Sequence, residues 1–325
     1  MKGWPSILFL ESFTLRAFAK INLALYVLGR REDGYHELNT VFQAVTLHDN
    51  LTFSRCLDDS ITLTCDITDI PLDLNNSILQ AAQLLRQEFD IKAGASIHLE
   101  KRIPAGGGLG GGSSDAAAAL LGLAHLWRIS LTRKELQEIG ARVGADVPFF
   151  FTGGTAFGAG IGTQITTMQD VPCTPLLIVA PNVKVSTAEA YKALNAPALT
   201  KVGGDSILSS SRLDTVFSDL HYARLKNDFE AVIFRLHPEI LRVRDALVLG
   251  GARSALLAGS GASVFGIFDN EETQVRAANA LRAETEWRVF QCTTLSRKRY
   301  LKYLGECAAP LLDELPSEEG FDIGA

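Results

Sequence analysis

The sequence predicts an α+β protein of two domains, and three observations carry that prediction. The first hundred residues alternate between period-two apolar segments and short turns, which suits antiparallel strands better than helical crossovers. A glycine stretch, GGGLGGG over 106–112, joins a strand pattern to a strong helix pattern. Composition then changes near Val171-Pro172, dividing the chain into an N-terminal domain (1–170), a C-terminal domain (171–300) and an acidic tail (301–325) expected to be partly disordered.

Residues 15–28 give the clearest strand. Leu15, Ala17, Ala19, Ile21, Leu23, Leu25 and Val27 fall on one face, and Phe18, Lys20, Asn22, Ala24 and Tyr26 on the other. Lys20 and Asn22 are therefore neighbours mid-strand, either on a solvated outer face or pointing into a site. Asp33-Gly34 marks a turn, and strands are expected over 38–47, 51–55 and 60–65. Asn75 and Asn76 can cap a helix whose apolar face holds Ile78, Leu79, Ala82, Leu84 and Leu85. A strand over 95–103 delivers the chain to Pro104 and the glycines. Ser113, Ser114 and Asp115 are N-cap residue types, and the alanines and leucines that follow are strong helix formers.

Thr132 and Glu135 form a capping-box signature for a helix ending near Gly144. GADVPFFF (144–151) then sets a lone carboxylate, Asp146, before a proline and three phenylalanines, and 154–167 is strand-like. The second domain reads as a buried strand (175–181), a short helix capped by Ser186 and Glu189 and carrying Tyr191, and a polar loop over 201–216. A helix from Asn227-Asp228 is interrupted by Pro238. Strand, glycine turn and strand follow over 252–268, then a helix (271–284) and a strand (286–295).

With 47% hydrophobic and 21% charged residues, the 325-residue chain can build a real core. A net charge of −6 and a pI near 5.6 oppose nucleic acid or an anionic membrane as the main partner. Five cysteines without a CxxC pair indicate neither a disulfide framework nor a zinc site, and a reducing cytoplasm is expected. The apolar run at residues 7–10 is too short for a signal segment, and no run approaches membrane-spanning length.

Glycine is costly to order and useful where the backbone must approach a ligand closely. A glycine loop entering a helix presents unpaired N–H groups and the positive end of the dipole, which suits an anion such as phosphate. The competing reading is a flexible linker, which its strand and helix flanks disfavour. Gly106-x-Gly108-x-x-Gly111 satisfies GxGxxG, but the preceding strand is amphipathic, and the region about 20 residues on is a capped helix instead of a strand ending in an acidic residue. Walker A GK[ST] and protein-kinase HRD and DFG elements are absent. Phosphate charge must then be met by N–H groups, serine hydroxyls, a metal ion and a lysine from elsewhere, for which Lys20 and Lys101 are candidates.

Three ordered stretches, AKINLAL (19–25), PxGGGLGGGSS (104–114) and LLAGSGASVFGIF (256–268), resemble the motifs of the GHMP small-molecule kinases. The resemblance covers about residues 14–296, only loosely over 201–225, and leaves the leader and the tail outside. It implies a ribosomal-protein-like α+β domain followed by a ferredoxin-like α/β sandwich domain, with ATP as donor and Mg²⁺ accompanying it. DGYHEL with the following VFQ, GADVPFF and STAEAY resemble the branch that phosphorylates a cytidine diphosphate derivative of a polyol in non-mevalonate isoprenoid synthesis. The alternative is a GHMP kinase of another small alcohol, of the homoserine or mevalonate type.

At matching positions the resemblance implies a catalytic pair, Asp146 accepting the hydroxyl proton with Lys20 beside it. It places Asn76, Lys101, Pro104, Gly106, Gly107, Gly108, Leu109, Gly110, Gly111, Gly112, Ser113 and Ser114 around ATP. Asn22, Tyr35, His36, Thr187 and Tyr191 fall around the cytidyl substrate, with tyrosine at 191 where the family often has phenylalanine. Gly259-Ser260-Gly261 would support the phosphate loop. Without the resemblance, Asp146 reads as a turn residue, Tyr35-His36 as an ordinary hairpin turn, Asn76 as a helix cap and Lys101 as a surface lysine. Metal ligands are left unassigned, and a monomer or homodimer is expected. Intact Lys20 and Asp146 argue against a catalytically silent ATP sensor, and the acidic pI against an RNA-binding protein.

Overall fold

The computed structural model describes residues 12–56, 58–199 and 225–312. Residues 1–11, the loop expected over 201–216 and the tail from 313 lie outside them. β1 (Ser12–Arg30) and β2 (His36–Arg55) pair antiparallel and form the spine of the first sheet. β2 is one strand where the sequence pattern suggests two. The intervening residues stay extended because the Asp49 carboxylate accepts from the backbone N–H groups of Arg102 and Ile103, at 2.5 and 2.7 Å, instead of closing a turn of its own. β3 (Ile61–Cys65) and β4 (Ala95–Glu100) pair parallel to each other and extend the sheet from the far half of β2, to which β4 is antiparallel. β5 (Thr155–Gly160) pairs with the near half of β2, and β6 (Gln164–Thr167) with β5.

Helices α1 (Ser77–Glu88), α2 (Gly111–Trp127) and α3 (Arg133–Val143) pack on one another, and α2 lies against β1 and β2. The capping box at Thr132–Glu135 is present. The start of α2 differs from expectation. Its cap is Gly110 in the left-handed region, and Ser113 and Ser114 sit inside the first turn with Asp115 just past it, because the glycine loop runs directly into the helix. A 3-10 turn, Val147–Phe151, follows α3 and buries all three phenylalanines.

The second sheet is built from β7 (Pro175–Pro181), β9 (Ser254–Leu257), β10 (Val264–Ile267) and β11 (Trp287–Thr293), antiparallel in the order β11-β7-β10-β9. A two-residue strand between them, β8 (Lys226–Asn227), pairs parallel to β1 in the first sheet. Among the described residues, four helices accompany this half: α4 (Thr187–Leu194), α5 (Glu230–Leu236), α6 (Pro238–Leu249) and α7 (Glu271–Leu281). Ser186 occupies the cap position of α4 without a side-chain cap bond, and Asn227 lies in β8 instead of opening a helix. Ala19, Ile21 and Leu23 of β1 pack with Leu176, Ile178, Leu256 and Phe265, so the apolar face of β1 joins the two sheets.

The tail expected to begin at residue 301 is folded as far as it is described. α8 (Arg297–Leu304), a 3-10 turn and α9 (Ala309–Leu312) return to the first core and bury Leu301, Leu304, Cys307, Ala308 and Leu311. The spacing 301, 304, 308, 311 is helical and apolar, a signal that the acidic residues further on obscure.

Candidate active site

The glycine loop sits between the two halves. Gly106, Gly108 and Gly110 have φ of 68°, 75° and 69°, a pattern that turns successive N–H groups to one side and forms an anion-binding concavity. Gly108 is pressed on the β9–β10 turn so closely that a Cβ would lie 1.9 Å from the Ala258 carbonyl oxygen. The Ser263 N–H donates to the Gly107 carbonyl at 3.2 Å, tying the loop to the second half of the chain. At Gly110 the missing side chain makes room for Lys20, whose Cγ would be 2.9 Å from a Cβ there. The 17-residue α2 begins at the next residue and directs its dipole at the same space.

Lys20 is buried in mid-β1 and points into the cleft. Its Nζ donates to Asn22 Oδ1 at 2.9 Å and pairs with Asp146 Oδ2 at 3.2 Å, lying 5.3 Å above the Phe42 ring. Asn22 is itself held, its amide donating to Thr40 Oγ1 at 2.7 Å, so its oxygen is turned to the lysine. Asp146 begins the 3-10 turn but makes no cap bond to it; its carboxylate is 33% exposed and faces the cleft. A half-exposed carboxylate beside a buried ammonium can accept or orient a hydroxyl proton while the cation meets phosphate charge.

His36 and Tyr191 line the same cleft. Their rings stack at 4.5 Å with planes 22° apart, and Tyr191 stands edge-on to Phe229 at 4.9 Å. Burial, helped by Arg30, lowers the His36 pKa and favours the neutral ring, which both donates and accepts. Burial first, and then the charge of Asp146, push the Tyr191 hydroxyl up to about 12. Tyr35 is 62% exposed at the rim, in a turn closed by Asp33 accepting from its N–H at 3.0 Å. Thr187 Oγ1 lies 3.1 Å from Ser260 Oγ, linking the start of α4 to the β9–β10 turn.

One cleft of about 1110 Å³ thus brings together Lys20, Asn22, Tyr35, His36, Pro104, Gly106 to Gly112, Ser113, Asp146, Thr187 and Tyr191. Three expected residues do not line it. Asn76 caps α1, accepting from the Ile78 N–H at 2.9 Å, and Ser114 is buried within α2. Lys101 is buried between Asp49 and Asp115, its Nζ 2.9 Å from Asp115 Oδ2 and under Gly111. Burial alone would lower the Lys101 pKa, but Asp115 and Asp49 outweigh it and the ammonium is raised. Asp115 is pushed up to about 7, mainly by burial, with Asp49 adding repulsion against the pull of Lys101.

Residues 76–154 match the GHMP kinases N terminal domain, and residues 211–286 the GHMP kinases C terminal domain. A protein of Caldicellulosiruptor bescii named 4-diphosphocytidyl-2-C-methyl-D-erythritol kinase is 40% identical over 268 residues, covering 82% of this chain and 93% of its own. The chain belongs to the GHMP kinases. A crystal structure of 4-(cytidine 5'-diphospho)-2C-methyl-D-erythritol kinase is similar at a TM-score of 0.72 and 34% identity, over 87% of this chain and 99% of that one. A homoserine kinase from Cytophaga hutchinsonii, 19% identical with a TM-score of 0.66 over 90% and 98% of the two chains, shares the fold. As a GHMP kinase, the protein has the family's two-domain α+β fold and is a phosphotransferase that uses ATP on a small-molecule alcohol.

The site of this GHMP kinase also contains residues that sequence reasoning passed over. Thr40 and Phe42 line the cleft, facing it from β2 with Leu38 at period two, and Ser77 borders the phosphate loop. The alternation 38, 40, 42 was the available signal, since Asn22 and Phe42 are register partners. Among the described residues no group of three His, Cys, Asp or Glu side chains could hold a metal ion. Ser113 and Asp146 line the cleft with side-chain oxygens, the donor type that would suit a Mg²⁺ ion, which keeps phosphate and water ligands and needs few from protein. No helix among the described residues is long and apolar enough to cross a membrane.

Proposed function

We propose that this GHMP kinase transfers the γ-phosphoryl group of ATP to the 2-hydroxyl of 4-diphosphocytidyl-2-C-methyl-D-erythritol, in non-mevalonate isoprenoid synthesis. The supporting observation is that the Lys20–Asp146 pair, the glycine loop and the His36–Tyr191 stack line one cleft. A plain alcohol substrate makes no use of stacked rings in the cleft, whereas a pyrimidine gains about 1–3 kcal/mol from such a platform. Tyr35 at the rim and the neutral His36 ring are suited to close over the base and to pair with its polar edge.

In the reaction the acceptor oxygen bonds to the γ-phosphorus as the bond to the β–γ bridging oxygen breaks and ADP leaves. Asp146 takes the hydroxyl proton, and Lys20, paired with it at 3.2 Å, meets the charge on the transferring group. Asn22 fixes Lys20, and the loop N–H groups hold the remaining phosphates. Mg²⁺ bound with the nucleotide would supply further charge neutralisation, with Ser113 and Asp146 as the side-chain oxygens at hand. The five cysteines are free, which suits a reducing cytoplasm.

A coupled ADP-release assay with the cytidyl substrate, homoserine and mevalonate side by side tests the reading. Turnover with the cytidyl substrate is expected. Turnover with homoserine or mevalonate alone would overturn the acceptor and leave the kinase chemistry standing.

A further inference from the structure

Helix α8 follows β11 and packs behind the turn that begins at Asp146. Tyr300 is buried, and its hydroxyl donates to the Phe150 carbonyl oxygen at 2.6 Å. Its ring fills the space above Gly153, where a Cβ would meet Tyr300 Cδ1 at 2.4 Å. One turn earlier, Arg297 donates to the Thr155 and Met168 carbonyls at 2.6 and 3.3 Å. The backbone N–H groups of Arg297 and Thr155 both reach the Asp170 carboxylate, at 2.7 and 2.9 Å. None of these gripping groups lines the cleft.

The other side of the gripped segment meets the reacting pair. The tip of the Phe150 ring would lie 3.1 Å from a Cβ on Gly110, against which the Lys20 side chain also rests. Phe149 stands 4.9 Å from Phe42, the ring beneath the Lys20 ammonium. Tyr300 is therefore joined to the phosphate loop at Gly110 through one intervening residue, Phe150, and Lys20 rests against the same glycine. It also lies beyond residue 286, where the match to the family's C-terminal domain ends.

We propose that Tyr300 is a positioning residue for phosphoryl transfer, acting through Phe150. Its hydrogen bond sets the depth of the 147–151 turn, and with it the seat of Phe150 against Gly110 and the approach of Asp146 to Lys20. Tyr300 touches neither ATP nor the acceptor. Preorganised groups of this kind tell on turnover because small misplacements of reacting groups slow the chemical step more than they weaken binding. The inference rests on the reading of Lys20 and Asp146 as the reacting pair.

Tyr300→Phe in the full chain removes the hydroxyl and keeps the ring. The expected result is a kcat lower on the order of tenfold, with KM for ATP and for the cytidyl substrate within about twofold of wild type. Tyr303→Phe, on the exposed side of the same helix, should keep wild-type kcat. Should Tyr300→Phe fold poorly, Phe150→Leu keeps the carbonyl and removes the ring tip, and the same loss in kcat alone is expected. A kcat within about twofold of wild type in folded Tyr300→Phe would overturn the proposal, as would a loss matched by a rise in either KM. Asp146→Asn assayed in parallel separates the two levels. Loss there without loss in Tyr300→Phe overturns only the positioning role, and near-normal turnover in Asp146→Asn removes the pair reading beneath it.

Discussion

Asp146→Asn exchanges a charge for an isosteric amide at the centre of the site. At 3.2 Å the ion pair with Lys20 has a Coulomb energy of about 5 kcal/mol at an effective dielectric near 20. Water reaches the carboxylate, 33% exposed, so the net ground-state worth falls toward about 1 kcal/mol. The asparagine oxygen can still accept from Lys20, and Asn22 remains as a second acceptor, so the thermal midpoint should move by only about 2–4 °C. The effect on turnover is of another size. A positioned proton acceptor contributes about 10²- to 10⁴-fold to rate, equivalent to about 3–5 kcal/mol in the transition state. ADP release with saturating cytidyl substrate should therefore fall by at least about a hundredfold, while calorimetry shows ATP bound with near-normal affinity. A kcat within about tenfold of wild type would refute proton acceptance and leave Asp146 an orienting group. Lost ATP binding would show that the ion pair builds the nucleotide site instead.

Gly108→Ala places a methyl 1.9 Å from the Ala258 carbonyl at a φ of 75°, so the loop must leave the β9–β10 turn. KM for ATP should rise by more than about tenfold with the cytidyl KM little changed, and steady-state kinetics in both substrates checks this. Tyr191→Leu removes the stacking face and should raise the cytidyl KM about five- to a hundredfold without raising that for ATP, the reverse pattern refuting the platform. Asp115→Asn bears on pH. A carboxyl whose folded pKa lies above its unfolded value binds its proton more tightly when folded, so its contribution is full below pH about 4 and is lost as pH rises through about 7. The thermal midpoint of the variant relative to wild type should therefore climb between pH 5 and pH 8, and a constant difference would refute the raised carboxyl.

Much of the fold is legible in the sequence because its signals are local. The period-two face of β1, the Thr132–Glu135 box and the glycine turn between β9 and β10 each depend on residues a few positions apart. The misread elements depend on distant partners. β2 continues through Asp49 because its carboxylate accepts from N–H groups more than fifty residues on, and the 3-10 and helical segments after Tyr300 fold because a core shared with Phe149–Phe151 and α3 takes up their leucines. Acidic composition past residue 312 says nothing about that core.

The two lysines show where sequence reasoning about the site must stop. The loop lacks a cation of its own, and Lys20 and Lys101 both lie in or beside the motif stretches of the linear chain, Lys101 only three residues before Pro104. What separates them is the company three segments bring. Lys20 meets one carboxylate that is open to the cleft and one amide turned toward it, so its charge is available to a ligand. Lys101 meets two buried carboxylates, Asp49 from β2 and Asp115 from α2, and its ammonium is paired beneath Gly111. Asp49 also holds the N–H groups of Arg102 and Ile103, so the triad clamps the segment after β4 to the N-terminal part of α2, on either side of the glycine loop. On this geometry Lys101 lies beneath the loop, and the cation that opens on the cleft is Lys20, from a strand about eighty residues earlier.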